Sequence, residues 1–151
     1  MKRLIIVLLG FTLSSHLIIA QLSGYGTSGS PYTGTLDRDT TWYPDSYFEG
    51  ILYAGNINTS SFTLTISPGE YNAGHVQFTG TSTLTINTGG AFIINPQTSV
   101  SVHRITNYGT LRLVSFPNET GVASLKHSLY GGTGVVETEL YLSGGPTQEN
   151  D

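Results

Sequence analysis

The densest group of chemically capable side chains falls between positions 37 and 53, where Asp37, Asp39, Asp45 and Glu49 are interleaved with Trp42, Tyr43, Tyr47 and Tyr53. Four clustered carboxylates supply enough oxygen for a calcium ion, which takes about six to eight such ligands. Their spacing matches no EF-hand loop, because the Gly and the closing Glu of that motif are missing. A solvated acidic loop is the competing reading, so calcium stays an option and no other cofactor is expected. Aromatic rings on a rigid surface stack on sugar faces, which makes Trp42, Tyr43, Tyr47 and Tyr53 a candidate carbohydrate platform. Packing into a core or an end cap is the alternative that their apolar bulk favours.

The remaining candidates are sparser. His16, His75, His103 and His127 lie far apart, without the close pairing of a metal site. In strands, His103-Arg104 and Lys126-His127 would each put their side chains on opposite faces. Arg104 and Arg112, if stacked, would make a small basic spot for sugar acids. Asn58-Thr59-Ser60 and Asn118-Glu119-Thr120 are formal N-glycosylation sequons. The absence of Cys excludes thiolate metal sites, redox dithiols and disulfide scaffolds.

The elements that must carry these residues are strands. The chain of 151 residues holds 16 Ser, 21 Thr and 19 Gly, so more than a third of it disfavours helix and a helical bundle is excluded. One domain fits this length. From Ser61 onward short stretches alternate apolar residues with Thr or Ser: TLTI at Thr63, TLTINTGG at Thr83 and TLRLVS at Thr110, with HVQF, AFII and SVSV between. Period-two alternation puts Leu64 and Ile66, Leu84 and Ile86, Val100 and Val102, and Leu111 and Leu113 on one face, and Thr65, Thr85, Ser101 and Arg112 on the other. The last stretch sets Val136, Thr138, Leu140 and Leu142 against Glu137, Glu139 and Tyr141. Self-similar units 20 and then 27 residues apart point to successive coils of a β-solenoid with one looped insertion. An antiparallel β-sandwich is the alternative. Outward rows such as Thr63, Thr65, Thr83 and Thr85 would suit an ice lattice, but the irregular spacing spoils it.

The first twenty residues read as an address. Met1-Lys2-Arg3 is followed by the apolar run from Leu4 to Leu13 and by a stretch ending in Ala20-Gln21, the order of a secretory signal peptide. Thr12, Ser14, Ser15 and His16 make it too polar for a membrane anchor, so no span is expected after cleavage. Cleavage leaves Arg38, Arg104, Arg112 and Lys126 against ten acidic residues, a chain that repels nucleic acid and anionic lipid. The expected divisions are a signal peptide over 1–20, a flexible leader over 21–36, an aromatic N-terminal cap over 37–60, solenoid coils over 61–142 and a polar tail over 143–151.

A signal ending in Ala-Gln, the TLTI and TLTINTGGAF coils, ITNYGTLRL and GGTGVVETELYLSGG together resemble the secreted and surface proteins of Bacteroidetes bacteria that carry right-handed parallel β-helix coils. Gly132, Thr133, Gly134, Val136, Glu139, Tyr141 and Leu142 match the strand that closes the coil series there, and Leu140 stands where a basic residue is frequent. The resemblance implies an all-β right-handed parallel β-helix in the N-terminal portion of a longer surface protein. It also implies that Asp39-Thr40-Thr41 is an O-glycosylation acceptor with Thr40 as the modified residue. The expected role is structural or adhesive and non-enzymatic, with extracellular glycans or other surface proteins as partners and self-association through an exposed C-terminal coil. The alternative is a polysaccharide-binding or polysaccharide-degrading module, or the targeting part of a carbohydrate-active enzyme.

Overall fold

A computed structural model describes residues 22–70, 73–114 and 123–138. The signal segment 1–20, the Asn118 sequon, the tail 143–151 and Glu139, Leu140, Tyr141 and Leu142 of the closing strand lie outside the described residues. Strands make up 57% of the structure and stack in parallel as a β-solenoid of about four turns. They are β1 (Tyr32–Thr35), β2 (Thr40–Trp42), β3 (Ile51–Asn58), β4 (Thr63–Ile66), β5 (Gly74–Phe78), β6 (Thr83–Ile86), β7 (Ala91–Ile94), β8 (Thr98–Asn107), β9 (Thr110–Leu113), β10 (Ser124–Gly132) and β11 (Val135–Thr138). Every pairing between these strands is parallel. A sandwich is thereby excluded, because its sheets are built from antiparallel pairs.

Two sheets wrap one core. The six-stranded sheet runs β1-β3-β5-β8-β10, with β6 between β3 and β8, and the five-stranded sheet runs β2-β4-β7-β9-β11. Register stacks like on like: Leu52, Val76, Val100 and Leu125 form one inward column, Ile57, Leu84, Ile105 and Tyr130 a second, and Leu64, Phe92, Leu111 and Val136 a third. Leu52, Leu64, Val76, Leu84, Phe92 and Ile105 are completely buried. At roughly 1.5–3 kcal/mol per buried Val, Leu, Ile or Phe, these columns supply the main driving force of folding.

The repeat that suggests a solenoid is not the repeat that stacks. TLTI at Thr63 is β4 in the five-stranded sheet, whereas TLTI at Thr83 is β6 in the six-stranded sheet, and TLRL at Thr110 returns to the five-stranded one. The true neighbours of Thr63–Ile66 are Thr40–Trp42 and Ala91–Ile94. Similar strings arise in different sheets because any half-buried strand selects a β-branched outer residue and an aliphatic inner one. The Thr rows accordingly split: Thr65 lies beside Thr41 and Ile93, and Thr85 beside Asn58 and Thr106. They form no single ladder.

The turn into the five-stranded sheet is marked by glycine for a packing reason. A Cβ on Gly90 would strike the Ser60 carbonyl, one on Gly109 the Gly90 carbonyl and one on Gly134 the Gly109 carbonyl. At the same turns Thr110 N donates to Gly90 O (3.0 Å) and Val135 N to Gly109 O (2.8 Å), so the backbones of successive coils touch here and only Gly fits.

The coils also begin earlier than the aromatic block. Residues 22–36, read from sequence as a leader, contain β1 and an antiparallel bridge in which Ser23 and Thr33 exchange backbone hydrogen bonds of 2.8 and 2.9 Å. Gly26 O accepts from Tyr53 N at 2.9 Å. This stretch is held by backbone bonds along a sheet edge, which a count of clustered apolar residues does not detect.

Candidate functional site

The aromatic block is divided by the strands that carry it. Trp42 ends β2 with its side chain inward and 5% exposed. Its ring stacks on Tyr32 at 5.5 Å, and Tyr47 meets Tyr32 edge-on at 6.3 Å. The hydroxyls of Tyr32 and Tyr47 share a 2.9 Å hydrogen bond. Burial, reinforced by this bond, raises the Tyr47 phenol above its ordinary value. Tyr43 is 47% exposed, while Tyr53 lies on the outer face of β3, half-buried. The four rings therefore form no single sugar platform: one is core, one belongs to an end cluster, and two face solvent on different elements. Tyr32, which completes the cluster, sits inside the stretch read as a leader.

The carboxylates are likewise dispersed. Asp37 accepts two hydrogen bonds of 3.1 Å from Arg38, and that guanidinium holds its carboxyl below the usual range. Asp39 Oδ1 accepts from Thr63 N at 2.8 Å and anchors the start of β4. Asp45 packs so closely on Gly69 that a Cβ there would fall on the carboxylate. Glu49 is exposed in a left-handed conformation with φ of 57°. Among the described residues no three acidic or His side chains gather as a metal would require, so this set does not converge on a calcium site.

Two of the modification motifs lie among the described residues. The Thr40 hydroxyl donates to Arg38 O at 3.1 Å in an exposed hydrogen bond. Asn58 Oδ1 accepts from Ser60 N at 2.8 Å and from Asn87 Nδ2 at 3.0 Å, and Thr59 is completely buried, so these residues also hold a turn.

A different surface collects the polar groups. No Asp or Glu occurs in the six strands of the larger sheet, which carry His75, His103, His127, Arg104 and Lys126. On its outer face Tyr53, Gln77, Ser101 and Lys126 stand in one row across β3, β5, β8 and β10. His75 is fixed beside this row, with Nε2 3.2 Å from Gln77 Oε1 and Nδ1 2.8 Å from Ser99 Oγ. Gln77 Nε2 donates to Phe78 O (3.0 Å), which leaves its Oε1 as the acceptor. In the neutral imidazole, Nε2 then donates and Nδ1 accepts from Ser99. A shallow groove follows, lined by Gln77, Gly80, Ser101, His103, Lys126 and Ser128.

Two expectations about charge are corrected. His103 and Arg104 do not point to opposite faces. Val102 and Ile105 are both buried, so the two residues between them turn outward together at a corner of the coil. Strict alternation fails wherever a strand bends around the core. Arg104 and Arg112 do not stack either. Arg104 belongs to β8, and Arg112 to β9 of the other sheet, where its Nε lies 4.0 Å from Glu137.

The outer row was hidden from sequence reading by its spacing. Tyr53, Gln77 and Ser101 recur at a coil offset of 24, as His75 and Ser99 do, and Lys126 follows Ser101 at 25; these offsets differ from those of the TLTI strings.

Fold and faces define the class: a parallel β-solenoid of about four turns with an aliphatic core and a charge-segregated surface. Comparison with known proteins returns no matching family, curated protein or solved structure.

Proposed function

We propose that this chain is a secreted, cell-surface β-solenoid segment with a structural and adhesive, non-enzymatic role. The observation that carries the reading is a stacked aliphatic core whose last coil is open to an interaction. Leu129, Tyr130, Val135 and Val136 are each 43–56% exposed on β10 and β11, and neither strand has a neighbour on its far side among the described residues. Open strand edges and exposed apolar groups favour pairing with another chain. The export signal expected over 1–20 supports an extracellular location, and extracellular glycans or surface proteins are the natural partners of such a module.

Acidic Glu137, with Glu139, Glu149 and Asp151 further along the chain, opposes association by repulsion that salt screens over about 8 Å. Light scattering of the purified protein across a salt series should therefore show association that grows with salt and with protein concentration. A monomer unchanged by either would overturn the adhesive end. A second reading, a polysaccharide-binding or polysaccharide-degrading module or a targeting part of such an enzyme, draws on the polar row of the six-stranded sheet.

A further inference from the structure

Charge on this molecule is sorted by face. The protein is net acidic at -4, yet the six-stranded sheet contains no carboxylate in any of its strands. The described acidic residues lie in the connections at 37, 39, 45, 49 and 70 and on β11 at Glu137. The sheet's outer face offers the side-chain amide of Gln77, the hydroxyls of Ser99, Ser101 and Ser128, the imidazoles of His75 and His103, and the cations Lys126 and Arg104. Lys126 and Arg104 are exposed, and Ser101 pairs directly with Lys126 across the two strands. Glu49 and Tyr53 line a separate depression at the N-terminal end of the row, so among the described residues the section without a carboxylate extends from Gln77 to Lys126.

We propose that this face, between Gln77 and Lys126 with His103 and Arg104 at its corner, binds an acidic polysaccharide whose sugar units carry carboxylate groups. Two cations among many hydroxyl, amide and imidazole groups match a polymer that is rich in hydroxyls and carries its charge less densely than a nucleic acid. Sugar hydroxyls exchange hydrogen bonds with Ser and Gln, and a carboxylate fits the planar fork of a guanidinium. Duplex DNA presents one charge per about 1.7 Å, and two cations on an acidic protein do not offset its repulsion. The face is open and crosses successive coils about 4.8 Å apart, which suits an extended chain rather than a small enclosed ligand. The inference rests on the second, polysaccharide-binding reading and deepens it by naming the ligand, and it stands apart from the association proposed for the last coil. The two fail separately, because self-association is read by scattering without glycan.

The test is affinity electrophoresis of the folded protein at low salt through gels containing polygalacturonate, with neutral dextran, dextran sulfate and duplex DNA as parallel arms. Retardation by polygalacturonate alone is expected, declining as salt rises. Replacing both Arg104→Gln and Lys126→Gln should weaken it roughly tenfold, at up to about fivefold for each exposed charge contact. Arg38→Gln, which removes a cation outside the sheet, should leave it unchanged. Ser101→Glu places a carboxylate in the middle of the groove and should abolish retardation while the circular dichroism stays that of the parent. No retardation by polygalacturonate, equal retardation of the double variant, or preferential binding of dextran sulfate or DNA would overturn the proposal.

Discussion

The two ends of the solenoid solve the same problem in opposite ways. Among the described residues both come to a sheet edge and the end of an apolar core. At the N-terminal end the chain before β1 folds back so that Ser23 pairs with Thr33, and Tyr32, Trp42 and Tyr47 close over the core with Leu22 beside them. At the other end the inward positions of the last coil are Leu125, His127, Tyr130 and Val136, and all but Leu125 are exposed. Asn107, completely buried one coil below, donates to Tyr130 Oη and to Val135 O, both at 3.0 Å, so polar groups enter the core column just where it meets the surface. The N-terminal end is closed by aromatic bulk and an antiparallel bridge. The exposed positions of the last described coil are amphipathic, with Tyr prominent, a composition that protein interfaces share.

The sharpest way to break this comparison starts in the coils between the ends. Leu84→Asp puts an unpaired charge at a completely buried position and should cost several kcal/mol, a large share of a typical domain's stability, whereas outward Thr85→Asp should cost well under about 1 kcal/mol. Urea unfolding of the two variants measures the difference, and equal effects would refute the register. Next come the ends themselves. Trp42→Ala should cost about 3–5 kcal/mol by removing a buried ring, and Val136→Ala, at 52% exposure, less than about 0.5 kcal/mol. Comparable losses would mean that the C-terminal end is covered as well as the N-terminal one.

The smallest effect concerns the tyrosine pair. Tyr47→Phe should cost about 1 kcal/mol at neutral pH, because the Tyr32 hydroxyl loses a half-buried partner. The raised phenol adds a pH signature. The folded state holds this proton more tightly than the unfolded state, whose tyrosine titrates near 10. The contribution is therefore complete below pH 10 and is lost as pH rises above it. Between pH 8 and pH 11 the parent should lose more stability than Tyr47→Phe, measured as urea midpoints, and parallel losses would place the phenol in water.

Much of this fold was legible because period-two alternation is a direct image of a strand with one buried face. Leu64, Ile66, Leu84, Ile86, Val100, Val102 and Leu111 are buried as the pattern required. Coil assignment was not legible, since TLTI in β4 and TLTI in β6 obey one chemical rule in two sheets. Residues 22–36 are held through backbone bonds rather than apolar area, which a count of clustered apolar residues does not register. The candidate site was the least legible part. Trp42 attracted attention for its chemistry and proves to be core, whereas Gln77, Ser101 and Lys126 are unremarkable in sequence. They become a surface only when the coil offset brings them into one row.

Hydrogen exchange followed by mass spectrometry tests the asymmetry of the ends most directly. Amides of β1 and of the bridged residues Ser23 and Thr33 should exchange nearly as slowly as those of β3 and β5, and amides of β10 and β11 should exchange first, by local opening of the uncovered coil. Protection of β10 and β11 equal to that of β3, with β1 exchanging fastest, would contradict a solenoid closed at its N-terminal end and open at the other.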